Sequence, residues 1–365
     1  MDDLSDRIAK EVEKTIKSVK GLNLEHLGDE IEAAFSGAEG AGGAGETEDR
    51  DFAVGPHAGL NLTGISGSVE IRPGPPGAIH IQATKHGSGA AIANTVVDMR
   101  QSGDRVIVST RQESQGLKNL LRGSLASVHF QIELPPDTSV EVKVVSADVS
   151  SSDLSGPITL TTVSGDLSLG RLSGQCQLNT VSGDVNASEL SGRLIFRSTS
   201  GDVTLRDSTL PDANMSSVSG DFTMATPLNP QGQYIFHTTS GDLTLYVPAE
   251  TGASVQMKAV SGDVHVSDLP TTVIKSGRRR WQGRIGGGGA AVEMSSVSGD
   301  LHISLDETGV QSRENPETAG APASRDEQQH APPPAERAES TEILEALARG
   351  DITVEEAMSR LDSLA

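Results

Sequence analysis

Seven aspartates recur in one setting. Ser-Gly-Asp ends at Asp166, Asp184, Asp202, Asp221, Asp242, Asp263 and Asp300, in steps of 18, 18, 19, 21, 21 and 37 residues. If the copies stack as strands do, their carboxylates sit about 5 Å apart. At that spacing they repel unless each is hydrogen-bonded or bridged by a cation. A cation ladder is one chemistry open to such a column, with Asp166, Asp184 and Asp202 as candidate ligands. Calcium-loading β-rolls, however, repeat a tighter Gly-Gly-x-Gly-x-Asp unit and bring several oxygens to each ion. Here each copy brings one Asp and one Ser. The competing reading is a structural turn, in which glycine takes positive φ and Ser and Asp side chains bond turn amides. It assigns that role to Gly165 and Asp166, Gly183 and Asp184, Gly201 and Asp202, Gly220 and Asp221, Gly241 and Asp242, Gly262 and Asp263, and Gly299 and Asp300. On that reading no metal and no cofactor is expected.

Other reactive residue types are sparse. Arg278-Arg279-Arg280-Trp281, with Arg284 behind it, could meet a phosphate or a base. The plainer expectation is a solvated loop whose Trp281 caps the end of a core. The run Gly286–Gly289 has neither Rossmann nor Walker spacing. Nine histidines are scattered without an HExxH pattern. No GxSxG elbow has a supporting strand and helix. Cys176 stands alone, so neither a disulfide nor a cysteine metal site can form within the chain. It falls at an apolar repeat position and reads as a small buried side chain rather than a nucleophile.

The repeat that carries the aspartates is longer than a tripeptide. Eight residues before each Asp, starting from a degenerate copy at Asp148, stand Val140, Ile158, Cys176, Leu194, Ala213, Tyr234, Val255 and Val292. Six before stand Val142, Leu160, Leu178, Phe196, Met215, Phe236, Met257 and Met294. One after come Val149, Leu167, Val185, Val203, Phe222, Leu243, Val264 and Leu301. Ser68 in LNLTGISGSVEI fits the same template. Ser102-Gly103-Asp104 does not, and reads as a hairpin turn. Alternation on both sides of a turn means two short strands per repeat, each with one inward face. A unit of 18–21 residues cannot bury that face alone, but stacked coils can, like residue over like. The fold class is therefore mainly β, a parallel β-solenoid with helical appendages at both termini. A β-sandwich of hairpins competes, but it requires no constant period.

The rest of the chain divides by composition. Residues 1–36 read as an amphipathic helical segment, with Leu4, Ile8, Val12, Ile16 and Val19 in one stripe. Residues 37–50 read as a Gly/acidic linker, 51–308 as the strand-repeat domain, 309–339 as a Pro/Ala tether and 340–365 as an αα-hairpin. Thr353 and Glu356 form a capping box in that hairpin. Its Leu344 and Leu347 can face Met358 and Leu361, which makes these four the candidate partner-binding residues. Within 72–135 the period breaks, leaving strands at IHIQAT, RVIVST and SVHFQIELP. QESQGLKNLLRGS between them reads as a short helix or loop.

The 365 residues carry a formal net charge of −21, with only 2% aromatics. So acidic a surface repels nucleic acid and anionic lipid. The charged N-terminus has no signal-peptide apolar core, and no stretch is long enough for a membrane span. The location expected from this is the cytoplasm, with peripheral association to an envelope still open.

The run VHFQIELPPDTSVEVKVVSADVSSSDLSGPITLTTVSGDLSL, the repeated VSGD turns and the late Trp281-Gln-Gly-Arg-Ile-Gly segment resemble a known group over about residues 51–305. It is the bacterial putative-adhesin β-strand-repeat family, a domain of unknown function. The resemblance implies a right-handed β-helix-like fold and supplies no catalytic residues. EILEALARGDITVEEAMSRLDSL resembles the helical-hairpin modules found beside such domains in bacterial envelope-stress proteins, which implies oligomerisation or partner docking. The function expected is a non-enzymatic scaffold whose helical ends bind a protein partner or a second copy. One alternative is an adhesive module for calcium or glycan on the stacked turns. Another is a β-helix polysaccharide enzyme, which would need clustered carboxylates and aromatic platforms.

Overall fold

The computed structural model describes residues 45–112, 126–277 and 279–306. The helical ends expected at 1–36 and 340–365, the tether at 309–339 and most of the first linker lie outside them. So do Leu344, Leu347, Met358 and Leu361, Arg278, and nearly all of QESQGLKNLLRGS.

Each regular coil consists of two strands meeting at a Ser-Gly-Asp turn. The coils are β8 (Ile158–Ser164) with β9 (Leu167–Gly170), β10 (Cys176–Ser182) with β11 (Val185–Ser188), and β12 (Leu194–Arg197) with β13 (Val203–Arg206). Next come β14 (Asp212–Ser219) with β15 (Phe222–Ala225), and β16 (Gln233–Ser240) with β17 (Leu243–Val247). Two long strands, β2 (Gly59–Pro73) and β7 (Ser139–Ser152), pass through the turn position unbroken. They pair in parallel, with Ser68 opposite Asp148.

Successive coils pair in parallel and in register. Leu178 sits between Leu160 and Phe196, and Phe196 is followed by Met215 and then Phe236. A sandwich of hairpins would make these pairs antiparallel, so the competing fold is excluded. Like lies over like because the inward columns of Leu160, Leu178 and Phe196 and of Leu167, Val185 and Val203 are apolar on every rung, and a one-residue slip would turn them to water.

The far end departs from chain order. β18 (Ala253–Ser261) and β19 (Val264–Val266) precede β22 (Ala290–Ser298) and β23 (Leu301–Leu305) in sequence. In space β22 lies between β16 and β18, and β23 between β17 and β19. The intervening residues supply a cap. In it, β20 (Thr271–Gly277) and β21 (Arg280–Ile285) form an antiparallel hairpin whose β21 pairs with β18.

The other end is covered by the aperiodic segment. The first half of β2 pairs with β5 (Arg105–Gln112), which is joined to β4 (Thr95–Ser102). The second half pairs with β6 (Ser127–Leu134), which continues to β3 (Ala78–His86) and β1 (Glu46–Ala53). Gly103 takes φ 61° in the β4–β5 turn, as its Ser-Gly-Asp sequence out of period suggested. A short helix, α1 (Gly89–Asn94), is capped by Ser88 and was not foreseen.

The boundary at residue 50 is corrected. Glu46 to Arg50 belong to β1, which the Gly/acidic composition concealed. The strand is held by full antiparallel pairing with β3, by burial of Phe52, and by Glu46 and Glu48 on the buried Lys85 at 3.5 and 2.9 Å.

The core fills the space between the two strand faces. The column at Leu160, Leu178 and Phe196 is buried throughout, and the one at Leu167, Val185 and Val203 is buried except at Val264 on the end rung, which is half-buried. A third wall comes from Leu154, Leu172 and Leu190, each followed by Ser-Gly, and from Leu210. At the corner before that wall, Asp153, Arg171, Glu189, Asp207 and Asp268 all adopt φ between 49° and 60°. These left-handed residues are not glycines, and each costs about 1 kcal/mol. The corner is held by rung-to-rung bonds such as Arg171 N–H to Ser188 O at 3.1 Å, and by the two-pronged Arg171–Asp153 pair at 2.5 and 2.9 Å.

Candidate functional site

The Ser-Gly-Asp turns form one continuous hydrogen-bonded ladder. The backbone N–H of each Asp donates to Oδ1 of the Asp one rung below. These bonds link Asp166 to Asp148, Asp184 to Asp166, Asp202 to Asp184 and Asp221 to Asp202, at 2.8–3.0 Å. The chain continues from Asp242 to Asp221 at 2.8 Å, Asp300 to Asp242 at 2.7 Å and Asp263 to Asp300 at 2.8 Å. The adjoining backbone closes the rung, as when Leu167 N–H donates to Asp184 O at 2.9 Å. Every carboxylate of the ladder except that of the terminal Asp263 therefore spends one oxygen on a turn amide, which offsets its repulsion from its neighbours. Asp184→Ala leaves the Asp202 N–H without this partner. We expect it to lower unfolding free energy by about 1–2 kcal/mol, and Asp184→Asn, which keeps the acceptor oxygen, to recover most of that in urea melts.

The glycine before each Asp has a steric reason. A Cβ on Gly183, Gly201, Gly220 or Gly241 would stand 2.3 Å from the carbonyl oxygen of the glycine one rung below. Only a residue without a side chain lets the turns approach so closely.

Outside the ladder, the outer faces of β9, β11 and β13 border a cleft of about 380 Å³. Ser150, Ser152, Ser168, Ser188, Asn186 and Thr204 line it, with Arg72 and Arg206 among its charged residues. Seven of its fourteen lining residues carry a hydroxyl or amide side chain, and Glu70 in its wall is ion-paired to Arg72.

At the cap, Val273 and Ile274 on β20 are 54% and 62% exposed, with Lys275, Arg279, Arg280 and Arg284 on the same hairpin. Trp281 lies half-buried against the core, opposite Met257. Its ring covers Gly283, where a Cβ would stand 2.2 Å from the indole.

Cys176 is buried, and desolvation raises its thiol pKa to about 11, so it holds no thiolate near neutrality. Two histidine pairs form at opposite ends of the domain. His86 and His129 meet edge-to-face at 4.9 Å, with Ser68 Oγ 2.7 Å from His129 Nδ1. Burial, then the His86 charge, lowers the His129 pKa. His265 and His302 meet at 5.1 Å. Among the described residues, ligand atoms of Asp242, Asp300 and His302 lie within 4.8 Å of one another. The spacing argument singled out Asp166, Asp184 and Asp202, which lie on other rungs. It did not pair Asp242 with Asp300 because the inserted final coil brings them together. Two histidines placed alike after their Ser-Gly-Asp turns were the available signal.

A family model described as Toastrack DUF4097 matches residues 59–320. No curated protein matches the chain. Among solved structures, it is similar to one described as a "putative cell adhesion protein" from Clostridium sporogenes, at 13% identity and TM-score 0.26, covering 72% of this chain and 100% of that one. A "putative adhesin" from Bacteroides fragilis is similar at 12% identity and TM-score 0.36, covering 71% and 97%. A "putative lipid binding protein" from Parabacteroides distasonis is similar at 11% identity and TM-score 0.30, also covering 71% and 97%. Among the described residues no helix is long and apolar enough to cross a membrane.

Proposed function

The chain belongs to the Toastrack DUF4097 family, and from that premise we propose a non-enzymatic interaction scaffold that self-associates. Its platform is a right-handed β-solenoid stiffened by the aspartate ladder. Its contacts are the helical ends at 1–36 and 340–365 together with the β20–β21 cap. The observation that carries this reading is the cap itself: two adjacent exposed aliphatic side chains, Val273 and Ile274, on a sheet edge beside four basic residues. An edge strand of that kind is a ready place for another chain to pair.

Light scattering of the full-length protein tests this. Wild type is expected at a multiple of the monomer mass. Leu344→Asp with Leu347→Asp, or Val273→Ser with Ile274→Ser, is expected to bring the mass down to one chain. A wild-type protein that stays monomeric at all concentrations overturns self-association. A second reading is favoured by the hydroxyl-lined cleft beside Arg72 and Arg206, which suits a small polar ligand such as a glycan.

A further inference from the structure

Two of the seven Ser-Gly-Asp turns are followed by histidine two residues after the Asp: Ser261-Gly262-Asp263-Val264-His265 and Ser298-Gly299-Asp300-Leu301-His302. On the other rungs this outward position holds Ser150, Ser168, Asn186, Thr204, Thr223 and Thr244. The two histidine-bearing turns are 37 residues apart in the chain, yet they stack directly. His302 is in register with His265 on one side and Thr244 on the other. The final coil thus sets Asp300 and His302 against Asp242 below and His265 above.

We propose that Asp242, Asp300 and His302, joined by His265, bind one divalent first-row transition-metal ion of the zinc class. Three ligand atoms already lie within 4.8 Å of one another, on half-buried side chains. The His265 ring stands edge-to-face on that of His302, 5.1 Å away, and its exposed side chain can turn to supply a fourth ligand. The ladder holds the carboxylates in place, because Oδ1 of Asp242 and Oδ1 of Asp300 each accept a backbone N–H from the next rung. That leaves one oxygen of each carboxylate for an ion. The surrounding bonds do what outer-shell partners do at metal sites, orienting the ligands before the metal arrives. A dication also relieves the repulsion between two neighbouring carboxylates. The donor set decides the class of metal. Imidazole nitrogen with carboxylate oxygen suits zinc, cobalt or nickel, whereas calcium and magnesium take oxygen ligands.

The test uses full-length protein stripped with EDTA and dialysed. Zinc is expected to bind at one per chain by calorimetry and to raise the melting temperature, while calcium at the same concentration leaves it unchanged. Cobalt is expected to give visible absorption bands from the imidazole-bound ion. His302→Thr and His265→Thr place on these rungs the residue that Thr244 already carries, so both are expected to melt like wild type in EDTA. His302→Thr is expected to weaken zinc at least about tenfold and abolish the cobalt bands, and His265→Thr to weaken zinc less. His57→Ala, remote from the cluster, is expected to leave binding intact. Absence of saturable zinc binding, binding unchanged in His302→Thr, or equal stabilisation by calcium would each overturn the assignment.

Discussion

Gly201→Ala is expected to be among the most damaging single-atom changes in the domain, costing about 4 kcal/mol or more. Two effects add. The backbone at Gly201 has φ +127°, a region L side chains rarely adopt. The new Cβ would also lie 2.3 Å from the carbonyl oxygen of Gly183 and 2.9 Å from its carbonyl carbon. That clash is with backbone, so no side chain can rotate out of its way. Relief requires these two rungs to part, which would stretch the hydrogen bonds between them, from Asp202 N–H to Asp184 Oδ1 and from Val185 N–H to Asp202 O. Losses above 4–5 kcal/mol are exceptional for point changes and come from mechanisms of this kind. The matched control is Gly89→Ala in α1, where a Cβ meets nothing within 4 Å. It is expected to be neutral or slightly stabilising, since alanine restricts the unfolded chain. Urea denaturation of both variants makes the comparison, and a Gly201→Ala protein within 1 kcal/mol of wild type would contradict the close-packed ladder.

Phe222→Ala follows, with an expected loss of about 3–5 kcal/mol. The Phe222 ring is fully buried and stands 6.0 Å from both Phe196 and Phe236, edge-to-face with the first and tilted to the second. Removing it opens a cavity between rungs held at fixed spacing by parallel pairing, so the walls cannot collapse inward. Phe222→Leu should cost much less, about 1 kcal/mol, because Leu243 fills the same column one rung on. Thermal melts read both. An alanine variant as stable as the leucine variant would mean that the rings do not support the centre of the core.

The regular coils were legible because their chemistry repeats. An apolar residue two and four positions along can be read without knowing the neighbour, and stacking merely multiplies it. The ends were less legible for the opposite reason. β1 has few inward apolar residues and depends on β3 and on the Glu46 and Glu48 contacts with Lys85, which are remote in sequence. α1 is too short for periodicity to announce it. The left-handed corner at Arg171 and Glu189 carries no glycine, so nothing in composition marked it. As for the candidate site, the aspartate column was visible, but its hydrogen bonds were not. The Asp242–Asp300–His302 grouping depends on which coil lies next to which, and an 18–21-residue period cannot say that when the last step is 37.

The interleaved final coil also bears on how a ribosome-bound chain matures. The strand containing Val255 leaves the exit tunnel before the one containing Val292, yet the later strand is its permanent neighbour and the earlier-made Tyr234 strand is not. Both latecomers offer the same Ser-Gly-Asp handhold to Asp242. The first to arrive therefore has to wait or give way, and the terminus cannot be completed by simple winding in the order of translation.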